Sequence, residues 1–256
     1  VQNGTIVTSS YDLQSGSVMT VLSGTASLTK STPGEVFITQ PATYSGSTSI
    51  TAGTLTLLAN DALPTTGVAG TLSLTLSTGT LNIGNGFIQH MGTLSLTGGS
   101  VLSGGGTLQG GSIDASIYAL SSGFIGATMS GTGSITSGSG TVILAGSSYI
   151  SGSTTLNGGT LIVLQSSAIT TTDLIINGGS YYIGAITQRY KNITLHEGTI
   201  ASSGSGKLVA INTGSFLVES GSISGSLGGS ALFTKATASK VTLSGANTLS
   251  GSMDIT

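Results

Sequence analysis

Eight carboxylates and two imidazoles carry nearly all the acid–base chemistry open to this chain of 256 residues, which contains no cysteine. The carboxylates, Asp12, Glu35, Asp61, Asp114, Asp173, Glu197, Glu219 and Asp254, are scattered along its whole length. Glu197 and Glu219 come nearest to a pair, and they would stack if the backbone returned on itself about every 22 residues. Two stacked carboxylates cannot both ionise freely, so one would hold its proton and the pair could divide general acid and base work. The plainer reading is two solvated turn residues, and it is preferred. His90 and His196 have no cysteine, second histidine or carboxylate cluster near them in sequence, so no metal site is expected. No Gly-Lys-Ser/Thr follows the glycine runs, and Gly104-Gly105-Gly106 reads as a tight turn instead of a phosphate loop. No cofactor is implied, and the chain is not read as an enzyme.

One segment gathers a different chemistry. Tyr181, Tyr182, Arg189, Tyr190 and Lys191 form the densest mixture of aromatic and cationic groups in the sequence. Tyrosine rings beside hydrogen-bond donors stack on sugars or grip a protein partner. Two readings stand: a binding patch set on a scaffold, or ordinary packing on a strand surface.

The elements that must position these groups are strands. Runs such as Gly53-Thr54-Leu55-Thr56-Leu57, Gly92-Thr93-Leu94-Ser95-Leu96 and Asn192-Ile193-Thr194-Leu195 alternate apolar and polar residues between glycine breaks. Strands of about four to six residues are expected. Helix is excluded by 42 glycines spread over nearly every window, each costing a helix about 1 kcal/mol relative to alanine. A hydrophobic fraction of 38% placed in that alternation argues against disorder, although charged residues make up only 5%. A net charge of −2 cannot neutralise a run of phosphates, so no nucleic-acid partner is expected. The strands are too short and too poor in aromatics for a membrane barrel. Zero cysteine fits either side of a membrane.

The sequence also repeats itself. Tyr44-Ser45-Gly46-Ser47-Thr48 returns near Tyr149-Ile150-Ser151-Gly152-Ser153-Thr154, and Leu94-Ser95-Leu96-Thr97-Gly98-Gly99 returns as Ile193-Thr194-Leu195-His196-Glu197-Gly198. Gln14-Ser15-Gly16-Ser17-Val18 is echoed by Gln109-Gly110-Gly111-Ser112-Ile113 and Glu219-Ser220-Gly221-Ser222-Ile223. About two and a half copies of a supermodule of roughly 100 residues result, each built from shorter strand–turn units. Short strands, glycine turns and repetition predict an all-β solenoid, a parallel β-helix of roughly 20–25 residues per coil. Residues 1–256 are expected to form one such segment, a piece of a longer repeat protein. Asn82, Asn157, Asn177 and Asn212, each near a glycine or turn, are expected to take left-handed turn conformations or to stack as ladders.

The stretch from Gly140-Thr141-Val142-Ile143-Leu144 through Tyr149-Ile150-Ser151-Gly152-Ser153-Thr154-Thr155-Leu156 to Gly158-Gly159-Thr160-Leu161 resembles the autotransporter-associated β-strand repeat of bacterial surface proteins. Lys240-Val241-Thr242-Leu243-Ser244-Gly245 through Ser252-Met253 resembles it too, with Leu249 where tyrosine is usual, and Pro41 to Leu57 is a third copy. The resemblance implies a right-handed parallel β-helix from the passenger region of a large adhesin-like protein at the bacterial outer membrane or outside the cell. It brings no catalytic residues. The leading reading is therefore a structural stalk or fibre. Strand edges exposed at the end coils give the alternative, a self-assembling filament or sheath subunit, and a polysaccharide-binding or polysaccharide-cleaving β-helix stands behind both. The partners expected are further copies of the chain, end to end or laterally, or a host or cell-surface protein or glycan. Contact with a membrane would come only through an anchor region outside this sequence.

Overall fold

A computed structural model describes residues 4–65, 73–103, 111–166 and 173–256, so the Gly104–Gly106 run, Gln109 and Gly110 lie outside the described residues. The side chain of Asn212 lies outside them as well. Two compact units, residues 1–133 and 134–256, are each an all-β solenoid of parallel strands. In the first unit the chain runs through Val21–Gly24, Ser27–Lys30 and Glu35–Ile38, then repeats the circuit as Thr43–Tyr44, Thr48–Ile50 and Thr54–Leu57. Three strands therefore make a turn, and each strand pairs in parallel with its counterpart one turn on. We call the faces I, II and III in that order. The distance along the chain from one turn to the next varies: Val36 to Leu55 is 19 residues and Leu55 to Leu81 is 26.

Alternation puts every second side chain inside, and the parallel register stacks these side chains in columns. On face III of the first unit Val36, Leu55, Leu81, Val101 and Ile125 lie one above another, all buried. In the second unit the same column reads Val142, Leu161, Tyr181, Ile200 and Ile223. On its face II, Ile135, Thr154, Leu174, Ile193, Phe216 and Phe233 stack likewise. Each fully buried aliphatic contributes about 1.5–3 kcal/mol, which short isolated strands could not gather.

Most strands are of two to four residues, shorter than the sequence predicts, but Ile88–Leu96, Ser112–Leu120 and Thr187–Leu195 each run to nine and Lys207–Val218 to twelve. These long strands cross the corner between faces I and II without breaking, and Ser112–Leu120 marks the corner with two successive exposed residues, Ser116 and Ile117. Tyrosines brace that corner from inside. The Tyr118 phenol donates to Ile113 O (2.9 Å) and accepts from the Ala115 N–H (3.1 Å). Tyr11 does the same, donating to Ile6 O (2.7 Å) and accepting from the Ser23 N–H (3.0 Å). The corner between faces II and III instead needs glycine. Gly159, Gly179, Gly198 and Gly221 all have positive φ, and a Cβ on Gly179 would stand 2.4 Å from Gly159 O. Stacked turns leave no room there for a side chain.

The asparagines meet one of the two expectations, stacking, and not the other. Among the described residues the only non-glycine with positive φ is Asp61 (φ 50°), so neither Asn82, Asn157 nor Asn177 is left-handed. After Asn157 and Asn177 the glycine two positions on supplies that conformation, and the two asparagine side chains stack: Asn177 Nδ2 donates to Asn157 Oδ1 at 2.8 Å.

The succession of strands is the same in the two units. Thr80–Ile83, Ile88–Leu96, Ser100–Ser103 and Ser112–Leu120 are answered by Ser180–Ile183, Thr187–Leu195, Thr199–Ser202 and Lys207–Val218. Two of the sequence echoes are out of register with it. Gly16–Val18 and Gly221–Ile223 are both face III strands, but Ser112 and Ile113 belong to face I, and the intervening face III counterpart is Gly123–Ile125. Tyr44 is fully buried whereas Tyr149 is 58% exposed, so Ile150, not Tyr149, takes Tyr44's inward place.

Candidate functional site

The aromatic and cationic segment is divided by the fold. Tyr181 points inward from face III and Tyr190 inward from face I, with 0% and 3% of their surface exposed. Their hydroxyls are hydrogen-bonded at 2.9 Å and their rings meet edge to face, centroids 6.4 Å apart. Burial pushes both phenols above the ordinary tyrosine range, Tyr181 well above it, as it also raises Tyr44 and Tyr118. Tyr182 is half-buried on the outside of face III, while Arg189 is exposed on face I and Lys191 at the corner beyond it. The five residues expected as one patch are therefore a core pair and three separate outward groups. Period-two alternation accounts for the split: positions 181 and 182 have opposite phase, and 189 and 190 likewise.

Glu197 and Glu219 are not a carboxylate pair either. Glu219 follows strand Lys207–Val218 as His196 follows Thr187–Leu195, so the residue stacked under Glu219 is His196, with Nδ1 to Oε2 at 2.8 Å. Glu197 lies one position on, beside Gly178. An imidazole oriented at Nδ1 by a carboxylate is two-thirds of an acyl-transfer triad. Ser220 is adjacent, yet its hydroxyl donates to the main-chain oxygen of His196 (2.7 Å), away from the ring. The dyad thus orients a histidine at a partly exposed corner, and the adjacent Ser220 hydroxyl is committed to the main chain.

His90 makes a similar contact on face I of the first unit. Asp61 Oδ1 lies 2.9 Å from both the His90 main-chain N and its Nδ1, and Asn60 Oδ1 accepts from the Ile88 N–H at 2.9 Å. Residues 60 and 61 form no strand, so their side chains supply the acceptors a strand would have offered. Asp114 is the register partner of His90 on the other side. Among the described residues no group of three His, Asp or Glu side chains is close enough to hold a metal.

Polar residues in the core went unread in the sequence. Lys30 is completely buried at the II–III corner, where its ammonium donates to Thr32 O, to Thr32 Oγ1 (3.3 Å) and to Ala52 O (3.3 Å). Desolvation lowers its pKa, and the Asp12 charge works against that shift. Lys235 reaches the oxygens of Thr237 in the same way, while Ser137 ends the equivalent strand between them. Gln89 and Gln188, both fully buried, are the other internal anchors. Gln89 pairs with Leu63 in both directions, Oε1 accepting from its N–H (2.8 Å) and Nε2 donating to its O (2.9 Å), and Gln188 donates to Gln165 O (2.5 Å). The signal was present as phase: Lys30 alternates with Leu28, and Gln89 with Met91, so each occupies an inward position.

One exposed strip is particular to the second unit. At the II–III corner Asn157, Asn177, His196 and Glu219 each follow a face II strand and stack in successive turns, with the Asn–Asn and His–Glu contacts described above. In the first unit those places hold Thr51, Ser77, Thr97 and Ser121, and the two threonines turn their hydroxyls back on main-chain oxygens, Thr51 to Lys30 O (3.5 Å) and Thr97 to Leu76 O (3.2 Å). Compared with protein-family models, with curated proteins and with solved structures, the chain matches none.

Proposed function

We propose that the chain is a structural stalk or fibre segment of an exported bacterial surface protein of the autotransporter passenger type, adhesin-like in its parent molecule and without catalytic activity of its own. The observation that supports this reading is the columnar interior: in the described turns apolar residues stack on apolar residues, such as Leu55 on Leu81 and Leu161 on Tyr181, so the paired strands there share a filled inner face. Parallel ladders of this kind transmit load through many main-chain hydrogen bonds at once. The resemblance of Gly140 to Leu161 to the autotransporter-associated repeat supports the surface location. Recognition of a partner would fall to outward groups such as the Asn157–Glu219 strip, not to the buried Tyr181–Tyr190 pair.

Antibodies raised against the 256-residue chain test the location. They should label intact cells of the organism that makes it, and external protease should remove the label. Labelling only after permeabilisation would overturn the reading.

A further inference from the structure

We propose that the interior of the second unit binds a single water molecule, which bridges the hydroxyls of Ser148 and Thr154 and does the work of a phenol in the first unit. Thr48 and Thr154 open equivalent face II strands, Thr48–Ile50 and Thr154–Leu156, and both are 1% exposed. The Thr48 hydroxyl is hydrogen-bonded to the Tyr44 phenol at 2.5 Å. Ile150 stands in the place of Tyr44, so Thr154 has lost that partner, and its hydroxyl is unpaired. The Tyr190 phenol is near enough for Thr154 to favour its ionised form, but the two are not in hydrogen-bond geometry.

A second exchange accompanies the first. Ala42, two residues before Tyr44, gives way to Ser148, two residues before Ile150. Ser148 is 7% exposed and its hydroxyl also has no partner. The second unit has therefore given up a phenol and gained a hydroxyl at the same spot. Ser148 and Thr154 line a cavity of about 10 Å³ together with Ile135, Leu144, Gln188 and Tyr190. That is about the volume one water needs, and buried waters typically make about three hydrogen bonds to groups of this kind. The third falls to the Tyr190 phenol, which lines the same cavity and is otherwise hydrogen-bonded to Tyr181. No carboxylate lines the space, so a cation is a poor fit, and the hydroxyls make it wrong for an apolar ligand.

A high-resolution crystal structure of the chain and of its Ile150→Tyr variant tests the site. The expected result is a fully occupied water within hydrogen-bond distance of both Ser148 Oγ and Thr154 Oγ1, replaced by the phenol oxygen in the variant. Finding the two hydroxyls bonded to each other, or to main-chain oxygens with no density between them, would overturn the proposal. Should Ile150→Tyr fail to fold, water ¹⁷O relaxation dispersion on the native chain and on Ser148→Ala/Thr154→Val gives the same answer. The double variant should lose one long-lived water, and an unchanged count would sink the idea.

Discussion

Alternation of side chains decides the role of each residue here more firmly than its chemical type does. Tyr190 has the composition of a binding residue and the phase of a core residue, and phase prevails. Tyr190→Ala should destabilise the chain by about 3–5 kcal/mol, the usual cost of truncating a buried aromatic, seen as a lowered urea midpoint. Tyr190→Phe keeps the ring but leaves the Tyr181 hydroxyl unpaired, and should cost about 1–3 kcal/mol. Equal stability of Tyr190→Ala and the parent would show that the ring is outside. Lys30 gives a second prediction, in pH. Its pKa in the fold lies below the unfolded value of 10.5, so in that window the unfolded chain holds more protons and stability rises with pH. Lys30→Met should abolish this rise. The comparison belongs below about pH 10, because above it the buried tyrosines, whose pKa values are raised, act in the opposite sense and stability falls as unfolded tyrosine ionises.

Elements in this chain are set by corners as much as by strands. Two glycines of nearly equal φ separate the causes: Gly86 (φ 76°) would meet nothing with a Cβ, whereas Gly179 (φ 80°) would meet Gly159 O at 2.4 Å. Gly86→Ala should cost only the left-handed penalty of about 1–2 kcal/mol. Gly179→Ala should cost clearly more, because a stacked turn must move, and thermal melts of the two variants measure the difference. Similar melting points would mean that adjacent turns are not in close contact at that corner. The strands themselves were legible in the sequence, since Leu55, Leu94 and Ile193 sit in clean period-two runs. What was not legible is where a strand turns a corner without breaking. Ser116 and Ile117 carry no glycine or proline to announce the corner, because Tyr118 braces it from within. The aromatic and cationic segment is not one patch for a related reason: sequence proximity collected Tyr181 to Lys191, while the fold distributes them over two faces and the core.

At the scale of the molecule, repetition in the sequence became repetition of strand order, and the solenoid class followed from it. Registration of individual repeats did not follow, since Tyr149 looked like the partner of Tyr44 and only the inward position of Ile150 shows otherwise. The two units share a plan and differ in their decoration at the II–III corner: serine and threonine in the first, an Asn–Asn–His–Glu strip in the second. A scaffold tolerates such differences because each turn answers only to its neighbours. The central claim, that the chain is a stalk segment and not an assembling subunit, is tested most directly by electron microscopy of the purified protein over a wide concentration series. The account predicts discrete particles of constant length at every concentration. Filaments that lengthen as concentration rises would contradict it and make the chain an assembling fibre subunit.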